Sequence, residues 1–177
     1  LSDVVNEVID LKGAGPIIDG YEIIDEGYPI NSIYGYKADG LFCTKEELLN
    51  HPNQSYFGEY GLGDIRYVNV TDSDGTKNEI NASDRTIIGN QIPRFTYGLN
   101  ITAAWKGLDL TLFMQGIGKR DIILQGDAVW ALYNAGKMQT WMQDNWTESN
   151  KDATYPRLIA ASEHNNFQNS SFWVYNA

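Results

Sequence analysis

The stretch Arg94–Gln115, RFTYGLNITAAWKGLDLTLFMQ, decides the fold that we expect for this chain. Its first half carries apolar side chains at the odd-numbered positions, which are Phe95, Tyr97, Leu99, Ile101, Ala103 and Trp105. Its second half carries them at the even-numbered positions Leu108, Leu110, Leu112 and Met114. The positions between them are small or polar, with Phe113 as the exception. A period of two is typical of a β-strand with one apolar and one wet face. The pattern therefore predicts an antiparallel hairpin with a tight turn at Lys106-Gly107.

A hairpin of this kind fits either a soluble β-sandwich or an outer-membrane barrel. The first strand runs about twelve residues, which is nearer to a tilted membrane strand than to the usual five or six residues of a soluble one. Its apolar face is aromatic at both ends, at Phe95 and Tyr97 and again at Trp105, and aliphatic between them. Lipid-facing bands of barrels are bordered by aromatic girdles in the same way. These features favour the barrel, although a curved soluble sheet produces the same alternation.

A series of short motifs runs along nearly the whole chain. They are EGYPI (26–30), YGYKADGLF (34–42), GDIRY (63–67), DRTIIGN (84–90), PRFTYG (93–98), WKGLDL (105–110), FMQG (113–116), NWT (145–147) and ATYPR (153–157). In this order they resemble the C-terminal barrel region of the SusC/RagA family of TonB-linked receptors. The resemblance implies an all-β fold with short helices in its loops, as part of a large antiparallel transmembrane β-barrel with long extracellular loops. It also implies a location in the outer membrane.

On this resemblance, residues 1–177 are expected to be an internal fragment of the barrel, with the plug domain and the TonB box absent. We assign residues 12–92 to an extracellular excursion, 93–115 to a membrane hairpin and 116–171 to an extracellular loop. One rim of a bacterial barrel has short turns and the other has long loops. The turn at Lys106-Gly107 is therefore expected to face the periplasm, which places both long segments outside the cell.

The resemblance also implies a function and a set of partners. The function is TonB-dependent import of oligosaccharides, or of peptides in some members. The implied partners are a SusD-like surface lipoprotein, the TonB complex acting through the plug, and outer-membrane lipid. The net charge of −10 argues against nucleic acid as a partner, because phosphate binding needs clustered Lys and Arg. Acidic external loops explain the same charge. The single cysteine, Cys43, excludes a disulfide framework and a thiolate metal site.

Outside the hairpin the local patterns are mixed. Thr44-Lys-Glu-Glu47 is a capping box, which predicts a short helix that ends near Asn50. A strand is predicted over 64–70, and helices are predicted over 127–133 and 137–145. Residues 162–171 are polar and are expected to be mobile.

The polar segment Thr71–Asp84, TDSDGTKNEINASD, is a candidate calcium loop. Carboxylate oxygens close to a glycine are the ligands that calcium prefers, and the candidates are Asp72, Asp74 and Asp84. Relatives have a tighter Asp-x-Asn-x-Asp-Gly-x-Ile pattern. Here Asn69 and Thr71 replace the first ligands. A solvated turn is the competing interpretation, and calcium is the one cofactor that the sequence suggests.

No catalytic constellation is visible, and we expect a protein that is not an enzyme. Aromatic side chains on the 116–171 loop are the candidates for substrate contact, because Tyr and Trp rings suit stacking on a sugar. They are Trp130, Tyr133 and Trp141. Packing of the loop onto the barrel mouth explains them equally.

Two alternatives to the transporter stay open. One is a soluble, secreted, β-rich carbohydrate-binding module, calcium-dependent in one version, in which a second sheet buries Leu99, Ile101, Leu110 and Leu112. The weaker one is a glycan-processing enzyme, which needs two carboxylates that converge in one cleft.

Overall fold

The computed structural model describes Leu11, Gly13 and residues 15–71 and 78–176. The strands are β1 (Ile17–Asp19), β2 (Glu22–Ile24), β3 (Ser32–Tyr36), β4 (Ala38–Leu41), β5 (Ile65–Tyr67), β6 (Arg85–Asn90), β7 (Phe95–Trp105), β8 (Leu108–Gly118), β9 (Asp121–Ile123) and β10 (Val174–Asn176). In the described part, the α-helix is α1 (Lys45–Asn50), and the remaining helical turns are short 3-10 segments. The described residues include no helix that is long and apolar enough to cross a membrane. The strands and short helices confirm the expected β-rich fold, and the strands of the described part form no closed barrel.

The chain divides into two compact units. Unit 1 contains the described residues up to Ser32, together with Gly89–Ile122 and those from Tyr175 onward. Unit 2 contains Ile33–Ile88 and Ile123–Val174. The division into the segments 12–92, 93–115 and 116–171 that the sequence suggests stays a prediction. The assignment of those segments to the two sides of a membrane also stays a prediction.

Strands β7 and β8 form the predicted hairpin of unit 1, paired without interruption from Phe95–Gly118 to Trp105–Leu108. Both residues of the connecting turn have positive φ, 47° at Lys106 and 84° at Gly107. A two-residue turn of type I′ requires this conformation, and its twist matches that of the flanking strands.

The register keeps the two faces of the hairpin distinct. Leu99 pairs with Met114 and Ile101 with Leu112, whereas Thr102 pairs with Thr111 on the opposite face. A slip of one residue would mix the faces. All eleven residues of β7 are exposed in this chain. The apolar face therefore has no cover among the described residues.

Unit 2 is built around β5, which pairs with β4 through Ala38–Tyr67 and Leu41–Ile65. Its core combines residues that precede the hairpin in sequence with residues that follow it. The members are Tyr36, Phe57, Ile65, Tyr67, Ile80, Trp130 and Trp173. The two long segments that flank the hairpin therefore fold together as one unit.

Helix α1 has the predicted capping box. The Glu47 backbone N–H donates to Thr44 Oγ1, and the Glu47 carboxylate accepts from the Thr44 backbone N–H. The helices predicted over 127–133 and 137–145 are wrong. The structure has 3-10 turns at Tyr133–Ala135 and Thr140–Gln143 instead. Positive φ at Leu132, Asn134 and Ala135 turns the chain back before an α-helix can form.

The expectation of mobility for residues 162–171 is also wrong. His164, Asn165, Asn166 and Ser170 are buried in this segment, which we call the strap. Polar side chains are buried where they are hydrogen-bonded, and the asparagines of the strap are bonded to β5.

Gly63 provides a test of packing in unit 2. Its φ is +82°, and a Cβ placed there would overlap the Trp146 indole. Gly40 has the same φ of +82° with nothing within 4 Å of a Cβ. Left-handed strain of about 1–2 kcal/mol affects both alanine variants, and overpacking adds about 1–3 kcal/mol at Gly63 alone. We expect Gly63→Ala to lower the urea midpoint of tryptophan fluorescence well below that of Gly40→Ala. Equal midpoints would contradict this packing.

Candidate functional site

The outer edge of β5 is bonded by side-chain amides in place of a neighbouring strand. The Ile65 backbone N–H donates to Asn166 Oδ1 at 2.9 Å. The Ile65 carbonyl accepts from Gln54 Nε2 at 2.9 Å and from Asn165 Nδ2 at 2.8 Å. The Tyr67 N–H donates to Gln54 Oε1 at 3.3 Å. Buried backbone groups need such partners, so these amides fix the strap against the strand.

The carboxylate of Asp64, which has no solvent exposure, is the centre of this polar network. Arg157 Nε donates to its Oδ1 and Arg157 Nη2 to its Oδ2, each at 2.7 Å. Asn166 Nδ2 donates to Oδ1 at 2.9 Å, and the Gly61 N–H donates to Oδ2 at 2.7 Å. The hydrogen bonds that the Arg157 guanidinium donates to Asp64 raise its pKa. This bidentate pair joins the motifs GDIRY and ATYPR.

His164 lies beside this pair, with its Nε2 atom 3.9 Å from Asp64 Oδ2. Its Nδ1 atom accepts from the Asn166 backbone N–H at 3.2 Å, so Nδ1 carries no proton. Burial lowers the pKa of His164, and the Arg157 charge lowers it further against the attraction of Asp64. The ring is therefore held neutral in the folded strap.

The three aromatic residues predicted to contact substrate lie in different surroundings. Trp130 is only 7% exposed, because Phe167 stacks on its ring and Tyr133 packs edge-on. Tyr133 is half-buried and lines an open cleft of unit 2. Trp141 is 45% exposed and packs against Tyr155, and it does not line that cleft. Substrate contact by these residues stays a prediction, with Trp130 placed in the core.

The cleft also contains residues that the sequence did not single out. Tyr56 belongs to a segment that reads as a Gly- and Tyr-rich loop, and Gln168 belongs to the strap. The clustering of tyrosine and glycine over 55–63 was the available signal for Tyr56. No local pattern marks Gln168, because its position depends on the long-range packing of the strap.

Two of the three predicted calcium ligands, Asp72 and Asp74, lie outside the described residues. Asp84 is buried, and its Oδ1 atom accepts from the backbone N–H groups of Val70 and Thr71. Burial raises the pKa of Asp84, but hydrogen bonds from Asn81, Thr71 and Val70 outweigh it and leave the pKa lowered. Through its two oxygens Asp84 thus joins Val70 and Thr71 to Asn81, whose backbone N–H donates to Oδ2 at 2.9 Å. In the part of the chain that is described, no three His, Cys, Asp or Glu side chains form a metal-sized group.

At the end of the hairpin near residue 94, two glycines leave room for aromatic rings to lie over them. The Tyr97 ring lies over Gly116 and the Phe95 ring over Gly118, so a Cβ at either glycine would overlap a ring. Each ring therefore lies along the sheet across the strand pair. This arrangement places two large amphipathic or apolar rings at one end of the apolar face and Trp105 at the other.

No protein-family model matches the chain. The chain is similar to the TonB-dependent receptor P3 of Formosa agariphila, with 30% identity over 139 residues. The matched region makes up 77% of this chain and 13% of the receptor. The chain thus spans a small part of the length of the curated relative that it matches. This similarity supports a relationship to TonB-dependent receptors.

Arg157 tests the network. Arg157→Met leaves the buried Asp64 carboxylate without its cation, and we expect a loss of about 3 kcal/mol in the free energy of unfolding. Arg66→Met is the control, because Arg66 pairs with Asp39, whose side chain is 71% exposed. An exposed pair contributes at most about 1 kcal/mol. Urea unfolding followed by tryptophan fluorescence measures both variants. Equal losses would show that Asp64 does not need Arg157.

Lowering the pH tests whether His51 and His164 are neutral in the folded protein. Burial lowers the pKa of both His51 and His164. The unfolded chain therefore takes up protons first as the pH falls below about 6.5, so the free energy of unfolding decreases until the lower folded-state pKa is reached. We expect unfolding in less urea at pH 5.5 than at pH 7.5. His164→Asn keeps an acceptor for the Asn166 N–H but cannot titrate, so it should flatten this dependence.

The carboxylates with lowered pKa values, Glu47, Asp84 and Asp144, act in a different range. Because these pKa values are lowered from the ordinary carboxyl values of about 4, the contribution of the three groups to stability is lost only as the pH falls through the still lower folded-state pKa values. The interval from pH 5.5 to 7.5 therefore isolates the histidines. His51→Asn is the matched control, because it retains His164. An unchanged pH dependence in His164→Asn would show that His164 is not held neutral.

Proposed function

We propose that β7 and β8 are part of the lipid-facing wall of a TonB-dependent outer-membrane transporter, and that unit 2 is an extracellular elaboration of its rim. The observation that carries the proposal is the exposed apolar face of the hairpin. Leu99 and Ile101, at its middle, are 47% and 45% exposed. Similarity to a TonB-dependent receptor supports it independently.

The dimensions of the hairpin support a membrane wall. Each strand has 11 residues. At a rise of ~3.4 Å per residue and a tilt of ~45°, such a strand spans roughly 25 Å, which is the height of the apolar band of outer-membrane barrels. The ends of this band carry Tyr97 and Trp105 in the places where interfacial aromatic girdles lie.

The connectivity of the chain supports the assignment of its segments to the two sides of the membrane. Both long segments adjoin the end of the hairpin that lies opposite the Lys106-Gly107 turn, and they fold together as unit 2. Segments that share one core must be on the same side of a membrane. A short turn on one rim and long loops on the other is the usual arrangement of bacterial barrels, with the turn in the periplasm.

The soluble-module alternative needs Leu99, Ile101, Leu110 and Leu112 under a second sheet. All four are more than 40% exposed in the described chain. Exposing so much contiguous apolar surface to water is unfavourable, whereas lipid covers it at no such cost. The geometry therefore favours the transporter.

We further propose that the transporter belongs to the SusC/RagA type and imports oligosaccharides, or in a second version peptides. The ordered motifs support this assignment, and the Asp64–Arg157 pair gives two of them a shared structural role. On this proposal a SusD-like lipoprotein covers the barrel, and the TonB complex acts through a plug. Calcium in the 71–84 segment is a separate proposal.

The hairpin faces provide the test. In the full-length receptor, Leu112→Arg places a charge on the lipid side near the middle of β8, whereas Thr111→Arg places it on the lumen side. A charge at the membrane midplane costs about 2–4 kcal/mol. We expect Leu112→Arg to reduce the folded receptor in outer-membrane fractions, measured by heat-modifiable migration on gels, and Thr111→Arg to leave it near the wild-type amount.

The same strains test transport. Uptake of labelled oligosaccharide by the wild-type receptor should stop when TonB is deleted, although the receptor still reaches the outer membrane. Equal assembly of the two arginine variants would overturn the membrane wall. TonB-independent uptake would overturn the energy coupling but not the wall.

A further inference from the structure

Unit 2 contains an open cleft of about 550 Å³. This volume lies within the roughly 300–1,000 Å³ of small-molecule sites. One wall comes from the segment before the hairpin, at Tyr56 and Gly58. The other comes from the segment after it, at Tyr133 and the strap residues Glu163 and Gln168.

Two tyrosine rings in this cleft are held by their neighbours. Tyr56 is 57% exposed and meets Phe57 edge to face, with centroids 5.3 Å apart and planes at 86°. Tyr133 meets Trp130 at 5.0 Å and Phe167 at 5.2 Å, also edge to face. Because packing against Trp130 and Phe167 restrains the Tyr133 ring, this ring loses little rotational freedom when a ligand stacks on it. Gly58, with no side chain and φ of 98°, leaves room beside Tyr56.

The polar groups that line the cleft are hydroxyls, one carboxylate, the Gln168 amide and the His164 ring. Glu163 and Ser162 are exposed at its edge, and the Gln168 amide donates to the His164 carbonyl at 3.1 Å. Among the described residues that line the cleft there is no Lys or Arg. With the net charge of −10 on the chain, the cleft disfavours carboxylate and sulfate groups.

From this geometry we infer that the cleft between Tyr56 and Tyr133 is a binding subsite for an uncharged segment of an oligosaccharide. Aromatic faces match the C–H faces of sugar rings, and the carboxylate and hydroxyls match sugar hydroxyls. The Glu163 carboxylate repels uronic acids and sulfated sugars, and the described lining offers them no Lys or Arg as a partner. This inference rests on the proposed import of oligosaccharides and adds where, and with which charge, the substrate is bound.

Calorimetric titration of the purified full-length receptor in detergent tests the subsite. The probes are neutral hexasaccharides of α-glucan, β-glucan, xylan, mannan and galactan, with hexagalacturonate and a sulfated galactan oligosaccharide as the acidic series. We expect a neutral probe to bind at least ~10-fold more tightly than either acidic one. Tyr56→Ala should weaken that binding about 3- to 10-fold, because an aromatic contact contributes ~0.5–1.5 kcal/mol.

Trp141→Ala is the matched control, because Trp141 is also an exposed aromatic of unit 2 but does not line the cleft. It should bind the neutral probe as the wild type does. Both side chains are largely exposed, so neither variant removes core packing.

The remaining outcomes separate the two proposals. If Tyr56→Ala binds the neutral probe as tightly as the wild type does, the subsite is overturned and import of oligosaccharides is not affected. A preference of the wild type for an acidic probe has the same meaning. Failure of both series to bind contradicts import of oligosaccharides and this subsite together. TonB-dependent uptake of an oligosaccharide with no effect of Tyr56→Ala overturns the subsite alone.

Discussion

The buried carboxylate of Asp64 is the constraint on which unit 2 depends. Removing a charge from water is costly unless it is paired and fully hydrogen-bonded. Here Arg157, Asn166 and Gly61 supply those bonds. Arg157 follows Asp64 by 93 residues, and the asparagine follows it by 102. The core of unit 2 therefore forms only when both flanking segments are in place, which makes its folding a long-range event with a large loop-closure entropy.

The same constraint explains how the hairpin is connected to the rest of the chain. Because the hairpin lies between Asp64 and Arg157 in sequence, it is an excursion whose two ends return to one compact unit. The two units also differ in what stabilises them. Unit 2 has its own aromatic core and a hydrogen-bonded network around Asp64 and Ile65, whereas the apolar face of the hairpin in unit 1 has no cover among the described residues. The hairpin needs an apolar surrounding in a way that unit 2 does not.

How much the sequence predicts follows from the range of each interaction. The hairpin, its turn and its two faces follow from alternation, and helix α1 follows from the Thr44–Glu47 box, because these signals are local. The strap was misjudged because Asn165 and Asn166 are polar, and their burial depends on bonds to Ile65 about a hundred residues away. The helix expected over 127–133 is wrong for the same reason, since tertiary packing of Trp130 overrides local propensity. Composition singles out Tyr133 as a candidate for substrate contact, whereas no local pattern marks Gln168.

The strap links the polar network to the cleft. His164 caps the strap turn through the Asn166 N–H and also lines the cleft, and Phe167 both supports the Tyr133 ring and lines the cleft. The position of these two side chains depends on Asn166, which in turn depends on Asp64. A binding surface made of loops gains precision when its supporting residues are fixed by a buried network. The cost of burying Asp64 is therefore consistent with a requirement for a pre-organised surface, because a fold selected for stability alone could replace a buried ion pair with apolar packing at little loss.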